Sequence, residues 1–218
     1  FLRRLSIDLT GTLPSPDEVL SFIGNDSADK RTLKINELLE RPSYAAWWAN
    51  KLCDFTGCNP TSISSLLEVA REDGYIKATK WYDWIYERIA NNESYVDLVE
   101  GIMLADISSG VGEGMPYFWT RQSLEEPKDT AMSVAHSFLG IQLQCAECHK
   151  HPFDQWTQND FVDFSSFFDT PILKKGRNKR SSKVSATTEK ELSLLRSHTV
   201  KVGDSDPREP IMDWLRKE

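Results

Sequence analysis

Residues 75–90 read YIKATKWYDWIYERIA, and the reading of this stretch decides the fold class. Trp81, Trp84, Ile85 and Ile89 recur at steps of three and four residues. That spacing gathers them on one face of an α-helix and divides them between the two faces of a strand. Asp83 and Glu87 fall elsewhere on the turn, four residues apart, as carboxylates do on a solvated helix face. A helix with so wide an aromatic stripe needs other helices to cover it.

The same period continues on both sides. Upstream, Ser43 starts an aromatic helix through Tyr44, Trp47, Trp48 and Leu52. A helix over residues 29–39 sets Leu33, Ile35, Leu38 and Leu39 inward and stops before Pro42. Ser15-Pro16-Asp17-Glu18 reads as a capping box with proline at the first helical position, ahead of Val19, Leu20, Phe22 and Ile23. Downstream, Ser94 with Asp97 begins a helix toward Leu104, and a Gly-rich loop covers residues 108–116. Helix signals resume at Pro127, with Met132, Ala135, Phe138 and Leu139 leading to Leu143. Thr157 to Asp160 is a further cap ahead of Phe161, Phe164, Phe167 and Phe168. No β alternation precedes Asp169.

The expected fold is therefore all-α: an irregular helical bundle over residues 1–170, followed over 171–218 by a basic, partly structured extension or linker. Residues 174–183 (KKGRNKRSSK) carry six basic side chains and no acid, fit either for docking an acidic partner or anionic lipid or for a solvated loop. Residues 184–202 alternate weakly, as a short β-hairpin would, and a helical turn closes the chain near Pro210 to Leu215.

Composition limits the function classes. Seven Trp and ten Phe among 218 residues supply a sizeable core for one domain with an appendage. A net charge of −7 argues against nonspecific nucleic-acid binding, which runs on clustered Lys and Arg. No apolar run approaches the roughly 18–20 residues a membrane-crossing helix needs, so membrane association through this chain would be peripheral. The sequence opens at Phe1-Leu2-Arg3-Arg4, with neither Met nor a basic-then-apolar leader, and is expected to be the processed part of a longer protein. Neither G-x-S-x-G nor H-E-x-x-H occurs, and the GVGEG loop lacks the flanking strand of a phosphate-binding fingerprint.

The chemistry concentrates in the cysteines, which fall as Cys53-x4-Cys58 and Cys145-x2-Cys148. The second pair is followed directly by His149, giving C-x-x-C-H, the attachment pattern for c-type haem. In that reading Cys145 and Cys148 form thioethers with the porphyrin vinyl groups and His149 is the proximal iron ligand. The motif is placed at the C-terminal end of a helix or one turn beyond it. Phe153, Trp156 and the Phe161 to Phe168 cluster supply apolar walls, and His151, two residues past His149, a supporting role next to the haem. On the distal side Met115, in Met-Pro-Tyr-Phe, is the first candidate, with His136 and Met132 as alternatives and His198 and Met212 further downstream. A filled distal position makes the chain a single-electron carrier; an open one makes it an enzyme acting on a small molecule.

Two other readings stand beside it. Cys53, Cys58, Cys145 and Cys148 together could ligate a structural zinc ion or an iron–sulfur cluster in a non-haem scaffold or interaction domain. The first pair, taken alone, is either a local disulfide suited to an oxidising compartment or a small buried residue with a neighbouring free thiol.

The run QLQCAECHKHPFDQWTQ (142–158), together with the phenylalanines through Phe168, closely resembles a family of planctomycete-type cytochrome-c-like domains, largely of unknown function and usually found in long secreted proteins. RRLSIDLTGTLP (3–14) is similar to the opening motif of the same family, and Asp54-Phe55-Thr56-Gly57 is similar to its sequence after the Trp-rich helix. The resemblance covers most of residues 1–168. It implies a largely helical, extracytoplasmic protein, periplasmic or secreted, cut from a longer chain whose next domain would begin after Glu218, with a redox partner protein or a larger electron-transfer complex around it.

Overall fold

A computed structural model describes residues 1–105, 116–120, 126–168, 190–194, 198–202 and 208–217. Among these residues the chain is a helical bundle with one appended two-stranded hairpin. Helices α1 (Leu2–Thr10), α2 (Pro16–Gly24) and α3 (Lys30–Leu39) open the chain, with α1 packed on α3. The capping box of α2 is present: Ser15 Oγ accepts from the Glu18 N–H at 3.2 Å, and Glu18 Oε2 accepts from the Ser15 N–H at 2.9 Å. Helix α4 (Pro42–Thr56) starts on its proline and ends at Gly57, whose φ of 73° lies in the left-handed region. Against α4 lies α1, where Gly11 (φ +69°) lets the Trp47 ring come so close that a Cβ there would stand 2.4 Å from Trp47 Cε3.

The central element is α6 (Arg71–Ala90), which packs on α4 and on α5 (Pro60–Leu67). Trp81 and Ile85 are fully buried and Trp84 nearly so, as the aromatic spacing required. Gly74 brings α6 against α5: a Cβ there would sit 1.9 Å from Ser64 Oγ and 2.4 Å from the Pro60 carbonyl oxygen. Helix α7 (Tyr95–Met103) buries Leu98, Val99, Ile102 and Met103, and the 3₁₀ turn Pro116–Thr120 lays Tyr117, Phe118 and Trp119 in the same core. Trp119 Nε1 donates to the Ile102 carbonyl at 3.2 Å.

Helix α8 (Pro127–Val134) runs into a π-turn, Ala135–Leu139, stopped by Gly140 in the left-handed conformation. Ser137 Oγ in that turn donates to the Phe55 carbonyl at 2.7 Å, and Tyr95 Oη donates to the Phe138 carbonyl at 3.0 Å. Helix α9 (Gln158–Ser166) packs on α8 and on β1 of the hairpin. Strands β1 (Lys190–Leu194) and β2 (His198–Val202) pair antiparallel, with Leu192 opposite Val200. Helix α10 (Glu209–Leu215) docks on α7, burying Ile211 and Met212. The segment expected as an extension thus adds Leu194, Ile211 and Met212 to the main core. No helix of the described residues is long and apolar enough to cross a membrane.

Two inward faces differ from expectation. On α3 the buried stripe runs through Lys34 and Leu38, while Leu33 and Leu39 are exposed. Lys34 is buried because its ammonium is shared between Glu18 and Glu37, at 3.0 and 2.9 Å, which satisfies a charge that burial would otherwise penalise. On α2 no residue is fully buried, and Leu20 and Ile23 lie open to solvent.

Candidate functional site

The C-x-x-C-H segment stands one turn beyond the helix that precedes it. After Gly140 the chain descends through Leu143, which is buried, into a 3₁₀ turn, Gln144–Glu147, with Cys148 closing it. The middle residue of the motif anchors it: Ala146 is fully buried, and its N–H donates to the Leu143 carbonyl at 2.8 Å. With Ala146 turned inward, Cys145 and Cys148 are both exposed free thiols.

Two contacts from neighbouring helices hold the turn in place. Lys128 Nζ on α8 donates to Glu147 Oε1 at 3.1 Å, and that carboxylate pushes the lysine pKa up. Gln158 Nε2 on α9 donates to the Glu147 carbonyl oxygen at 3.2 Å. Neither contact is visible in the sequence, because each joins residues more than ten positions apart without a periodic signature. The cap of α9 was visible: Thr157 Oγ1 accepts from the Asp160 N–H at 3.3 Å and the Asp160 carboxylate accepts from the Thr157 N–H at 2.7 Å.

The two histidines are held in complementary states. His149 Nδ1 lies 2.7 Å from the Lys150 carbonyl oxygen. A carbonyl only accepts, so Nδ1 carries the hydrogen, and in the neutral ring Nε2 presents a lone pair. His151 is arranged the other way: its Nδ1 accepts from the Phe153 N–H at 3.3 Å, so its neutral ring carries the hydrogen on Nε2. The loop between them and α9 is closed by the His151 N–H donating to the Trp156 carbonyl at 2.8 Å. One neutral imidazole presents a lone pair at Nε2, its neighbour an N–H.

The aromatic residues expected to wall the site divide between core and surface. Phe161 and Phe164 on α9, with Phe167 and Phe168 just past its end, are buried in the core. Trp156 is also buried, yet its indole N–H finds no acceptor among the described residues. Phe153, by contrast, is 95% exposed, an apolar ring standing free next to His151 and Pro152. His136 is exposed on the π-turn and Met132 is half-buried against the core. Met212 is fully buried in the core. Met115 and the basic run at 174–183 lie outside the described residues.

The four cysteines do not assemble. Cys53 and Cys58 sit together at the end of α4, where Cys58 Sγ donates to the Ala78 carbonyl on α6 at 3.5 Å. Among the described residues no three His, Cys, Asp or Glu side chains gather as metal ligands. The structure therefore does not bring the two pairs into a four-cysteine centre.

Fold and site together define a helical domain that displays a C-x-x-C-H turn at its surface. The chain belongs to the family described as PSCyt2, protein of unknown function (DUF1549), whose model matches residues 1–171. No match is found among curated proteins or among solved structures.

Proposed function

We propose that this chain is a c-type cytochrome domain that holds one covalent haem and transfers single electrons within a larger extracytoplasmic protein or complex. The observation that carries the reading is the His149 ring, fixed through Nδ1 so that Nε2 is free, directly after two exposed thiols on one pinned turn. A bound haem c supplies one-electron redox chemistry at its iron. Cys145 and Cys148 would each add S–H across a haem vinyl double bond, sulfur to one carbon and hydrogen to the other, and the buried Ala146 between them keeps both sulfurs turned outward. His149 would offer Nε2 as proximal ligand while the Lys150 carbonyl strengthens its basicity. The His151 Nε2–H would donate to an acidic group at the edge of the site, such as a haem carboxylate. Phe153, exposed in the chain alone, would gain an apolar neighbour.

The experiment is expression of the whole chain alongside a cellular haem-attachment system, followed by intact-mass and pyridine haemochrome measurement. One covalent haem with a c-type haemochrome band is the expected outcome; protein that emerges without a covalent adduct overturns the reading. In haem-loaded protein, His149→Ala should keep the covalent mass and lose the low-spin visible spectrum. An unchanged spectrum would transfer the proximal role to another residue. Near-infrared charge-transfer bands then separate a Met from a His distal ligand.

A further inference from the structure

We propose that Cys53 and Cys58 form a thiol–disulfide exchange site, a dithiol that closes to an intramolecular disulfide when a small-molecule or protein disulfide reaches Cys58. The site is separate from the C-x-x-C-H turn and does not depend on haem.

The geometry comes from the way α4 ends. The Gly57 N–H donates to the Asp54 carbonyl at 3.3 Å, and the Cys58 N–H reaches back to the Cys53 carbonyl at 2.9 Å. These are the paired bonds of a Schellman cap, with Gly57 at the left-handed position. Such a cap brings the residue after the glycine into side-chain contact with the one three positions before the helix end, a contact usually made by two apolar groups. Here both positions are cysteine. The cap sets the Cys53 and Cys58 side chains against each other, and Cys58 Sγ donates to the Ala78 carbonyl at 3.5 Å. Both are free thiols, Cys53 buried and Cys58 half-buried on the outer side.

The two thiols are not equivalent. The neighbouring Cys53 thiol lowers the pKa of Cys58, whereas Cys58 together with burial raises that of Cys53. Cys58, the half-buried thiol on the outer side, is the one an incoming disulfide reaches and is the attacking group; the buried Cys53 is the resolving one. In the first step the Cys58 thiolate bonds to one sulfur of the oxidant's disulfide, whose S–S bond breaks and whose other sulfur leaves as a thiolate. In the second step Cys53 gives up its proton and attacks Cys58 Sγ, expelling the oxidant's remaining half as a second thiolate. Two protein thiols are oxidised and one disulfide is reduced to two thiols, which take up the two protons.

Both cysteines fall between Lys51 and Arg71 with no other Lys or Arg between those two, so trypsin releases them on one peptide, 52–71. The full chain is reduced, treated with oxidised glutathione either native or in urea, quenched in acid, alkylated and digested. The native fold should yield peptide 52–71 with the internal disulfide, two hydrogens lighter than the dithiol. The ratio of closed peptide to peptide carrying one glutathione should exceed that of the urea-treated chain at least about tenfold. An equal ratio, a native peptide that keeps glutathione on Cys58 with Cys53 alkylated, or a peptide alkylated at both sites overturns the proposal. So does a crosslink from Cys53 to Cys145 or Cys148. As a second readout the oxidised chain should melt about 5 °C above the reduced one, and Cys58→Ser should abolish that difference.

Discussion

Gly11 and Gly24 separate what a glycine does from where it happens to stand. Gly11 ends α1 at φ +69°, and its missing Cβ is the space that the Trp47 indole fills, with Trp47 Nε1 donating to the Asp8 carbonyl at 3.2 Å. Gly11→Ala adds backbone strain and a clash with a ring that is itself tied down, so the urea midpoint should fall by the equivalent of about 2–3 kcal/mol. Gly24, on the last turn of α2, has nothing within 4 Å of a built Cβ. Gly24→Ala should leave the midpoint unchanged or raise it by up to about 1 kcal/mol. Equal losses at both sites would show that Trp47 is free to move. The ring pressed onto Gly11 lies 36 positions on, where no local rule reaches. His149 is similar. C-x-x-C-H singles out His149 as the proposed ligand, while the Lys150 carbonyl that fixes its tautomer is a backbone group that any sequence would supply.

At the scale of elements, the most legible features were those whose physics is local. The caps at Ser15, Ser94 and Thr157 stand where their spacing put them, because each cap is closed within three residues. Helix α5, with its SISS sequence, has too narrow an apolar stripe to announce itself; it packs closely on α6 at Gly74 and buries Ile63 in the core. The stripe of α3 was misread because Lys34 counts as polar in any pattern, yet it is buried through its partners on two helices. Those partners make the α2–α3–α4 corner sensitive to acid. Glu18 accepts from the Ser15 N–H, from Arg41 and from Lys34, and these together hold its pKa down to about 2 from 4.5. A carboxyl depressed on folding adds stability that is complete above its unfolded value and is lost as pH falls through its folded one. Wild-type stability should therefore decline between pH 4.5 and 2. Glu18→Gln should be less stable at pH 7, by about 1–2 kcal/mol, and flatter across that acid window. Denaturant melts at stepped pH read both; a variant whose acid slope matches the wild type would take Glu18 out of the account.

At the scale of the molecule, the family match ends at residue 171, yet the core does not. Composition marks the last fifty residues as different in kind, and their hairpin and closing turn were both legible as local patterns. Their destination was not, since hydrophobic periodicity reports an element's face without naming what covers it. Helix α10 is joined to α7 at three points. Arg208 Nη1 donates to the Met103 carbonyl at 2.9 Å across 105 positions, Arg216 pairs with Glu100, and Ile211 and Met212 are fully buried between them. A helix of seven residues has too little internal cooperativity to persist alone, so its order has to come from this packing. Met212→Ala removes most of a buried side chain from the shared core and should cost about 2–4 kcal/mol. If α10 belongs to the same cooperative unit as α7, the far-UV and tryptophan-fluorescence transitions of the variant should move down together and keep one midpoint. Hydrogen exchange should then quicken at the amides of α7 as well as those of α10. Should exchange quicken in α10 alone while both spectroscopic midpoints stay in place, α10 would be a detachable appendage and the folding unit would close before it.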